Sequence, residues 1–155
     1  MGVAEINPIR LDGSSKRDLR TQFGALPFRV VKGQVEVLMV TTRTTGRWIL
    51  PKGWPIDGQT PAEAAATEAF EEAGVEGKAF QQPIGFYAYS KAHEGDDLPI
   101  FVAIFPLRVK KIHADWPEKS QRKRKWMRPK KAAKLVSEPD LAPIIAVFDP
   151  TKLKR

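Results

Sequence analysis

The segment from Thr60 to Gly74 constrains the fold more than any other part of the sequence, because it carries both the start and the stop signal of a helix. Thr60 is a good N-cap residue, Pro61 suits the first helical position, and Glu63 completes a capping box. Gly74 is typical of the residue that ends a helix. The alanine-rich stretch between them has high helix propensity. The pattern therefore predicts a helix whose small side chains pack closely against a sheet.

Three glutamates lie on one side of this predicted helix. Glu68, Glu71 and Glu72 have the i, i+3, i+4 spacing that places side chains on a common face. Their charges repel one another, and no lysine or arginine lies between Pro61 and Gly77 to compensate them. A divalent cation would relieve the repulsion, and oxygen ligands select Mg²⁺ or Mn²⁺ over softer metals. The alternative is a solvated acidic face, which is common on helices.

A glycine-containing loop precedes the helix and is expected to belong to the same site. The segment from Pro51 to Pro55 can turn sharply and present a backbone carbonyl toward the carboxylates. Gly53 permits this approach because it has no side chain. Together, the loop, the capping box and the closing glycine favour a metal site over a solvated face.

The remaining sequence predicts an α+β fold with ordered structure from about Leu26. Strands are predicted at 28–31, 35–41, 47–50, 85–89, 100–109 and 125–127, and helices at 129–136 and 139–148. Pro106 predicts an edge or a bulge in its strand. The order of strands, helix, strands and helices favours a central mixed β-sheet flanked by helices.

The composition predicts one globular domain. The chain has 155 residues, of which 42% are hydrophobic and 28% charged, and this balance allows a substantial core. Residues 1–20 are predicted to be a flexible lead-in and 151–155 a basic, frayed tail, which leaves 21–150 for the domain. No apolar run is long enough to span a bilayer, and the N-terminus lacks the pattern of a secretory signal.

The charge and the absence of cysteine limit the chemistry. Without cysteine there are no disulfides and no thiolate zinc sites, and a reduced, cytoplasmic location is expected. The net charge of +8 implies an anionic partner, either a phosphate-rich small molecule or a nucleic acid. Only Trp126 interrupts the basic cluster that starts at Arg122, and stacking on nucleic acid needs more aromatic residues, so nucleic acid is the less favoured partner. The sequence carries no signal for an oligomeric state.

The stretch from Gly53 to Val75 resembles the Nudix box, written G-x5-E-x7-R-E-U-x-E-E-x-G-U, where U is an aliphatic residue. The matching positions are Gly53, Glu68, Glu71, Glu72, Gly74 and Val75, with Ala69 at the other U position. The motif is long and its gaps are fixed, so chance matches are rare. The resemblance implies a Nudix-type α/β/α sandwich and a pyrophosphohydrolase that uses Mg²⁺ or Mn²⁺.

Two positions depart from the box. Gln59 replaces its first glutamate and Thr67 replaces its arginine. In the family that arginine pairs with glutamates of the box and holds them in place, and threonine cannot supply the charge. The departures motivate the alternative of a catalytically weakened protein, although the metal ligands remain.

The resemblance extends over roughly residues 23–148. The segments Arg47 to Pro51, Asp115-Trp116 and Arg122 to Trp126 are similar to the branch that hydrolyses diphosphoinositol polyphosphates and diadenosine polyphosphates. The branch resemblance implies that Arg43 contacts substrate phosphates, and we take Arg47 and Lys52 as further phosphate-binding candidates.

The mechanism implied by the resemblance is metal-assisted hydrolysis of a phosphoanhydride bond. Glu68, Glu71 and Glu72 form the implied catalytic set, with Glu68 as candidate general base, and together with the Gly53 carbonyl they are the implied metal ligands. An additional acid from residues 94–97 is expected to assist. Two alternatives stay open: hydrolysis of ADP-ribose or nucleoside triphosphates on the same fold, and a binding module for a nucleotide or RNA.

Overall fold

The computed structural model of the chain describes residues 20–154, and within this part eight strands form one mixed sheet. The strands are β1 (Arg20–Val31), β2 (Gln34–Thr41), β3 (Trp48–Ile49), β4 (Lys52–Gly53), β5 (Val75–Ala79), β6 (Gly85–Lys91), β7 (Asp96–Ile112) and β8 (Arg124–Met127). The helices are α1 (Pro61–Ala73), α2 (Pro129–Leu135) and α3 (Leu141–Ala146). None of these helices is long and apolar enough to cross a membrane.

β1 and β7 form the centre of the sheet. They run parallel, with Arg20 opposite Ile100 at one end and Phe28 opposite Arg108 at the other. β2 pairs antiparallel with β1 and also carries β3 and β8, while β5 and β6 pair antiparallel with the two halves of β7. The predicted mixed sheet is therefore confirmed.

The two faces of the sheet bury separate apolar clusters, because side chains alternate along each strand. In β2, Leu38 and Val40 belong to the cluster that contains the alanines of α1. Val37 and Met39 belong to the cluster that contains residues of α2 and α3. The helices thus cover opposite faces, and the predicted α+β fold, an α/β/α sandwich, is confirmed.

The predicted capped helix is confirmed as α1. The Thr60 hydroxyl oxygen accepts a hydrogen bond from the Glu63 amide at 3.1 Å, and the Glu63 carboxylate accepts one from the Thr60 amide at 2.8 Å. Gly74 ends the helix in the left-handed conformation, at a φ of 70°. Apart from Glu72, the buried residues of α1 are alanines, which let the helix lie close to the sheet.

Pro106 lies inside the sheet, so the prediction of an edge or a bulge there is wrong. Its partner in β1 is Leu26. Its carbonyl accepts a hydrogen bond from the Phe80 amide at 3.0 Å, so its nitrogen faces the same side. On that side the pairing with β6 stops at Ile104, and the pairing with β5 covers β7 only from Leu107 onward. The missing donor therefore falls in the gap between two partner strands, where no ladder bond is lost.

Both ends of the described part differ from expectation. β1 begins at Arg20, ahead of the predicted start near Leu26, because its first half pairs with β7 and β4. The rest of the predicted lead-in lies outside the described residues. At the other end, Pro150–Lys152 form a 3₁₀ turn and Leu153 packs against the cluster beneath α2 and α3, so this part of the tail is anchored rather than frayed.

Replacing Thr60 by alanine is expected to destabilise the protein by about 1 kcal/mol, because the amide of Glu63 loses its acceptor. Urea unfolding followed by circular dichroism measures the change. Thr60→Ser is the matched control and should stay close to the native value, since serine also caps helices. Equal losses for both variants would show that the hydroxyl cap contributes little to α1.

Candidate active site

A cleft of about 750 Å³ opens beside α1 and contains most of the predicted site residues. Its lining comes mainly from residues 42–45 and Arg47, residues 52–56, Glu68 and Glu72 of α1, residues 88–91 and Glu94, the segment before β8 and the α2–α3 connection. Arg43, Arg47 and Lys52 all line this cleft. The structure thus places two box glutamates, the glycine loop and the three predicted phosphate-binding cations around one space.

Gly53 in β4 lies directly against Glu68 of α1. β4 is held on the sheet by the pairing of Gly53 with Phe23. A methyl group at position 53 would lie 2.5 Å from Oε2 and 2.7 Å from Oε1 of Glu68, which is too close for any side chain. Glycine is therefore required for this carboxylate to meet the backbone. Burial raises the pKa of Glu68, although hydrogen bonding to Glu72 opposes the shift.

Glu72 is buried in the floor of the cleft, with 6% of its surface exposed. Burial raises the pKa of Glu72 to about 8, although Arg122 and Lys52 oppose the shift. Its Oε1 has no hydrogen-bond partner within residues 20–154, whereas its Oε2 lies 3.8 Å from Nη2 of Arg122. An unpartnered buried oxygen of this kind is costly, and a proton or a cation would satisfy it.

Lys52 is held between acidic groups and an aromatic ring. Burial lowers the pKa of Lys52, although Glu72 and Glu138 oppose the shift. Its Nζ lies 4.6 Å from the centre of the Tyr89 ring, and the Tyr89 hydroxyl donates a hydrogen bond to Oε1 of Gln22 at 2.7 Å. The amine therefore lies at the cleft wall over the Tyr89 ring, and its residue is next to the glycine that meets Glu68.

Glu71 differs from the other two box glutamates because it does not line the cleft. Its backbone carbonyl accepts a hydrogen bond from the Glu118 amide at 3.1 Å. In the described part of the chain, no three acidic or histidine side chains converge closely enough to form a metal centre by themselves. The structure thus brings together Gly53, Glu68 and Glu72 from the predicted set and leaves Glu71 beside them.

Arg43 and Arg47 lie on the loop between β2 and β3 and give the cleft a cationic rim. Nη1 of Arg43 donates a weak hydrogen bond to Oε1 of Gln121 at 3.3 Å. Nη1 of Arg47 lies 3.9 Å from Oε2 of Glu138. Both guanidinium groups thus lie in the same cleft as Glu68 and Glu72, where they could contact a phosphate-rich ligand.

Only some side chains of the predicted acidic loop reach the cleft, and the same is true of the basic cluster. Of residues 94–97, Glu94 lines the cleft, whereas Asp96 pairs with Arg20 at 2.8 Å. In the basic cluster, Arg122 faces the cleft. Arg124 instead stacks on Trp116 with 3.9 Å between guanidinium carbon and ring centre. Arg122 and Arg124 are thus used inside the structure, whereas the other cations of the run are exposed, namely Lys123, Lys125, Arg128, Lys130, Lys131 and Lys134.

Two acids of the cleft, Glu118 and Glu138, were missed by sequence reasoning. Glu118 accepts a hydrogen bond from Nε of Arg122 at 2.7 Å. Glu138, on the connection between α2 and α3, has a buried Oε1 without a hydrogen-bond partner in the described residues. Each is a single glutamate in an irregular segment, so no local pattern marks it, and the fold alone brings it to the cleft.

The fold and the cleft define a Nudix-type sandwich, in which a capped acidic helix lies against a glycine-containing edge of a mixed sheet. Comparison with known proteins agrees, since the family model of the NUDIX domain matches residues 18–148. The chain therefore belongs to the NUDIX domain family of hydrolases.

Its relatives include a member of the branch that the sequence indicated. Nudix hydrolase 13, mitochondrial, from Arabidopsis thaliana is 31% identical over 136 residues, which cover 76% of this chain and 67% of the relative. Diphosphoinositol polyphosphate phosphohydrolase 2 from Rattus norvegicus is 28% identical over 123 residues, which cover 78% and 65%. The chain thus spans about two thirds of the length of these relatives. Because the first is mitochondrial by name, the cytoplasmic location stays a prediction.

A solved structure supports the fold. The binary complex of a C. elegans Ap4A hydrolase matches with a TM-score of 0.61 at 18% sequence identity, covering 82% of this chain and 93% of that one. At this identity the similarity concerns the architecture alone.

The raised pKa of Glu72 predicts how the metal-free protein responds to pH. Between the ordinary value of 4.5 and about 8, the folded state keeps a proton that the unfolded state has released. Glu72 therefore makes the protein less stable as pH rises through this window. Glu72→Gln removes the ionisation, so its stability relative to the native protein should increase with pH.

Urea unfolding in chelator, from about pH 5 to about pH 8, measures this difference. Glu63→Gln is the matched control on the same helix, because glutamine also completes a capping box. It should show no difference that grows with pH. Parallel stability curves for Glu72→Gln and the native protein would mean that Glu72 ionises in the fold without cost.

Proposed function

We propose that the chain hydrolyses phosphoanhydride bonds in a nucleoside-linked or inositol-linked polyphosphate, of the diadenosine or diphosphoinositol polyphosphate type, with Mg²⁺ or Mn²⁺. The observation that carries the proposal is the contact of Glu68 with Gly53, beside the buried Glu72, on the floor of a cleft with a cationic rim. The names of the rat relative and of the C. elegans structure support the substrate type.

The chemistry of the cleft floor fits a divalent cation. Oε1 of Glu72 is buried without a hydrogen-bond partner among residues 20–154, and burial raises the pKa of both Glu68 and Glu72. Carboxylate and carbonyl oxygens are the ligands that hard cations prefer. We assign Glu68, Glu72 and the Gly53 carbonyl to the metal, with Glu71 as the outer member of the set. A cation held there would neutralise negative charge on the phosphate oxygens during hydrolysis.

The protein side chains would then divide two tasks. Glu68 would accept a proton from the attacking water, since a carboxylate within reach of that water can act as a general base. Arg43 and Arg47 at the rim and Lys52 at the cleft wall would bind the phosphates and hold the scissile bond near the glutamates.

Chromatographic analysis of the products formed by the purified protein, with Mg²⁺, Mn²⁺ or chelator, tests the proposal, because diadenosine polyphosphates split into two nucleotides whereas diphosphoinositol polyphosphates lose inorganic phosphate. Diadenosine and diphosphoinositol polyphosphates are expected to be cleaved only with metal.

Glu68→Gln should lower kcat by at least about 100-fold, as expected for loss of a general base. Glu72→Gln should remove turnover, and Glu71→Gln should cost less because Glu71 lies outside the cleft lining. The exposed Glu63→Gln is the control and should retain turnover.

The same panel separates the alternatives. Cleavage of ADP-ribose or nucleoside triphosphates alone would show that the protein is a hydrolase with a substrate other than the proposed one. Failure to cleave any compound, by a folded protein that binds Mn²⁺, would contradict the proposal and favour a binding module for a nucleotide or RNA.

Arg43→Gln is expected to raise KM by about tenfold or more with a smaller change in kcat, because it removes one charged contact to substrate phosphates. Steady-state kinetics at several salt concentrations measure the effect, which should shrink as salt screens the charge. Arg128→Gln is the matched control, since Arg128 is exposed and does not line the cleft. Equal KM values for the two variants would remove Arg43 from the substrate site.

A further inference from the structure

The two residues that depart from the Nudix box contact each other. The Thr67 hydroxyl donates a hydrogen bond to Oε1 of Gln59 at 2.9 Å and is also within 3.1 Å of the Glu63 carbonyl oxygen. None of these three residues lines the cleft. A neutral hydrogen bond thus stands where the box has charged residues, and this part of α1 brings no cation to the glutamates.

Arg122 brings a cation to Glu72 from a distant part of the chain. Nη2 of Arg122 lies 3.8 Å from Oε2 of Glu72, beyond hydrogen-bond distance but close enough for a strong electrostatic interaction. The two side chains are 9% and 7% exposed, so water screens the interaction poorly. In keeping with this geometry, Arg122 is the largest influence that lowers the pKa of Glu72 against its burial.

The guanidinium group of Arg122 is fixed by two further contacts. Its Nε donates to Oε1 of Glu118 at 2.7 Å, and its Nη1 donates to the Thr41 carbonyl at 3.0 Å. The Lys123 amide donates to the Thr41 hydroxyl oxygen at 2.9 Å, which ties the backbone of this segment to the end of β2. Because the guanidinium plane is rigid, holding two of its edges directs the third at Glu72.

We propose that Arg122 is the positioning residue for Glu72 and supplies from the segment before β8 the cation that position 67 lacks. Arg122 faces Oε2 of Glu72 and leaves Oε1 without a partner in the described residues. One oxygen is thus oriented by the protein while the other stays available to a divalent cation. This inference rests on the proposed metal-dependent function of the cleft.

Mn²⁺ binding, measured by electron paramagnetic resonance without substrate, tests the inference independently of turnover. Arg122→Gln is expected to weaken Mn²⁺ binding by about 10- to 100-fold, as is usual when a residue that orients a metal ligand is lost. Arg122→Lys should recover only part of the affinity, because an amine cannot reach Glu118, Thr41 and Glu72 together. Arg29→Gln is the matched control. Arg29 also pairs with a glutamate, Glu36 at 2.7 Å, but lies outside the cleft, so Mn²⁺ affinity should be unchanged.

A double-variant cycle tests whether Glu118 acts through Arg122, and Glu118→Gln alone still tests the inference if Arg122→Gln folds poorly. Glu118→Gln should weaken Mn²⁺ binding less than Arg122→Gln does, because Arg122 keeps its bond to Thr41. The double variant should bind no more weakly than Arg122→Gln, since Glu118 would act through Arg122. Additive losses would mean that Glu118 acts on the metal directly and would overturn the inference.

Two other outcomes would also contradict it. Unchanged Mn²⁺ affinity in Arg122→Gln with a raised KM would make Arg122 a substrate contact instead. Equal losses of affinity in Arg122→Gln and Arg29→Gln would point to a general effect on the fold. In both cases the native protein would still bind Mn²⁺ and hydrolyse substrate. If the proposed function itself were wrong, the native protein would show no metal-dependent hydrolysis.

Discussion

The cleft depends on how the molecule compensates the buried carboxylate of Glu72. Removing a carboxylate from water is costly unless a cation, a proton or hydrogen bonds replace the solvent. The segment between β7 and β8 provides Arg122 for this purpose, and this segment and the first residue of β8 also secure the end of α1. The Trp116 indole nitrogen donates to the Glu72 carbonyl at 3.1 Å, and Arg124 donates to the Ala73 carbonyl at 2.8 Å. These are carbonyls that the last turn of a helix leaves unpaired. One segment therefore completes the helix and neutralises the charge that the helix buries.

The distance between α1 and β4 is set by small residues on both sides. Alanines on the buried side of α1 let the helix approach the sheet, and Gly53 lets the Glu68 carboxylate approach the backbone. β4 is only two residues long, but it is fixed by its pairing with β1 and by the Ala25 amide, which donates to the Pro51 carbonyl at 3.0 Å. A side chain at position 53 would displace the Glu68 carboxylate from the backbone, and larger side chains on the buried side of α1 would move the helix away from the sheet.

Local signals in the sequence predicted the parts of this arrangement that are local in the structure. The capping box, the closing glycine and the spacing of Glu68 and Glu72 belong to one helix, and all three could be read from neighbouring residues. β4 was missed because a two-residue strand exists only through its partner, and β5 was missed because most of its residues are exposed. Pro106 was misjudged because its place between β5 and β6 depends on topology. Arg122 was recognised only as part of a basic cluster, since its contact with Glu72 arises from the packing of distant segments.

The relation between Thr67 and Arg122 shows why a departure from a motif needs a three-dimensional reading. A carboxylate responds to cations through space, with an interaction that depends on distance and burial rather than on separation along the chain. Loss of the box arginine therefore does not leave Glu72 without a counter-charge, because Arg122 lies 3.8 Å away with its guanidinium group held by Glu118 and Thr41. Gln59 also departs from the box, so the positions where the box has a glutamate and an arginine both carry neutral side chains. Glu72 thus has a nearby cation, although positions 59 and 67 of the box carry neutral side chains.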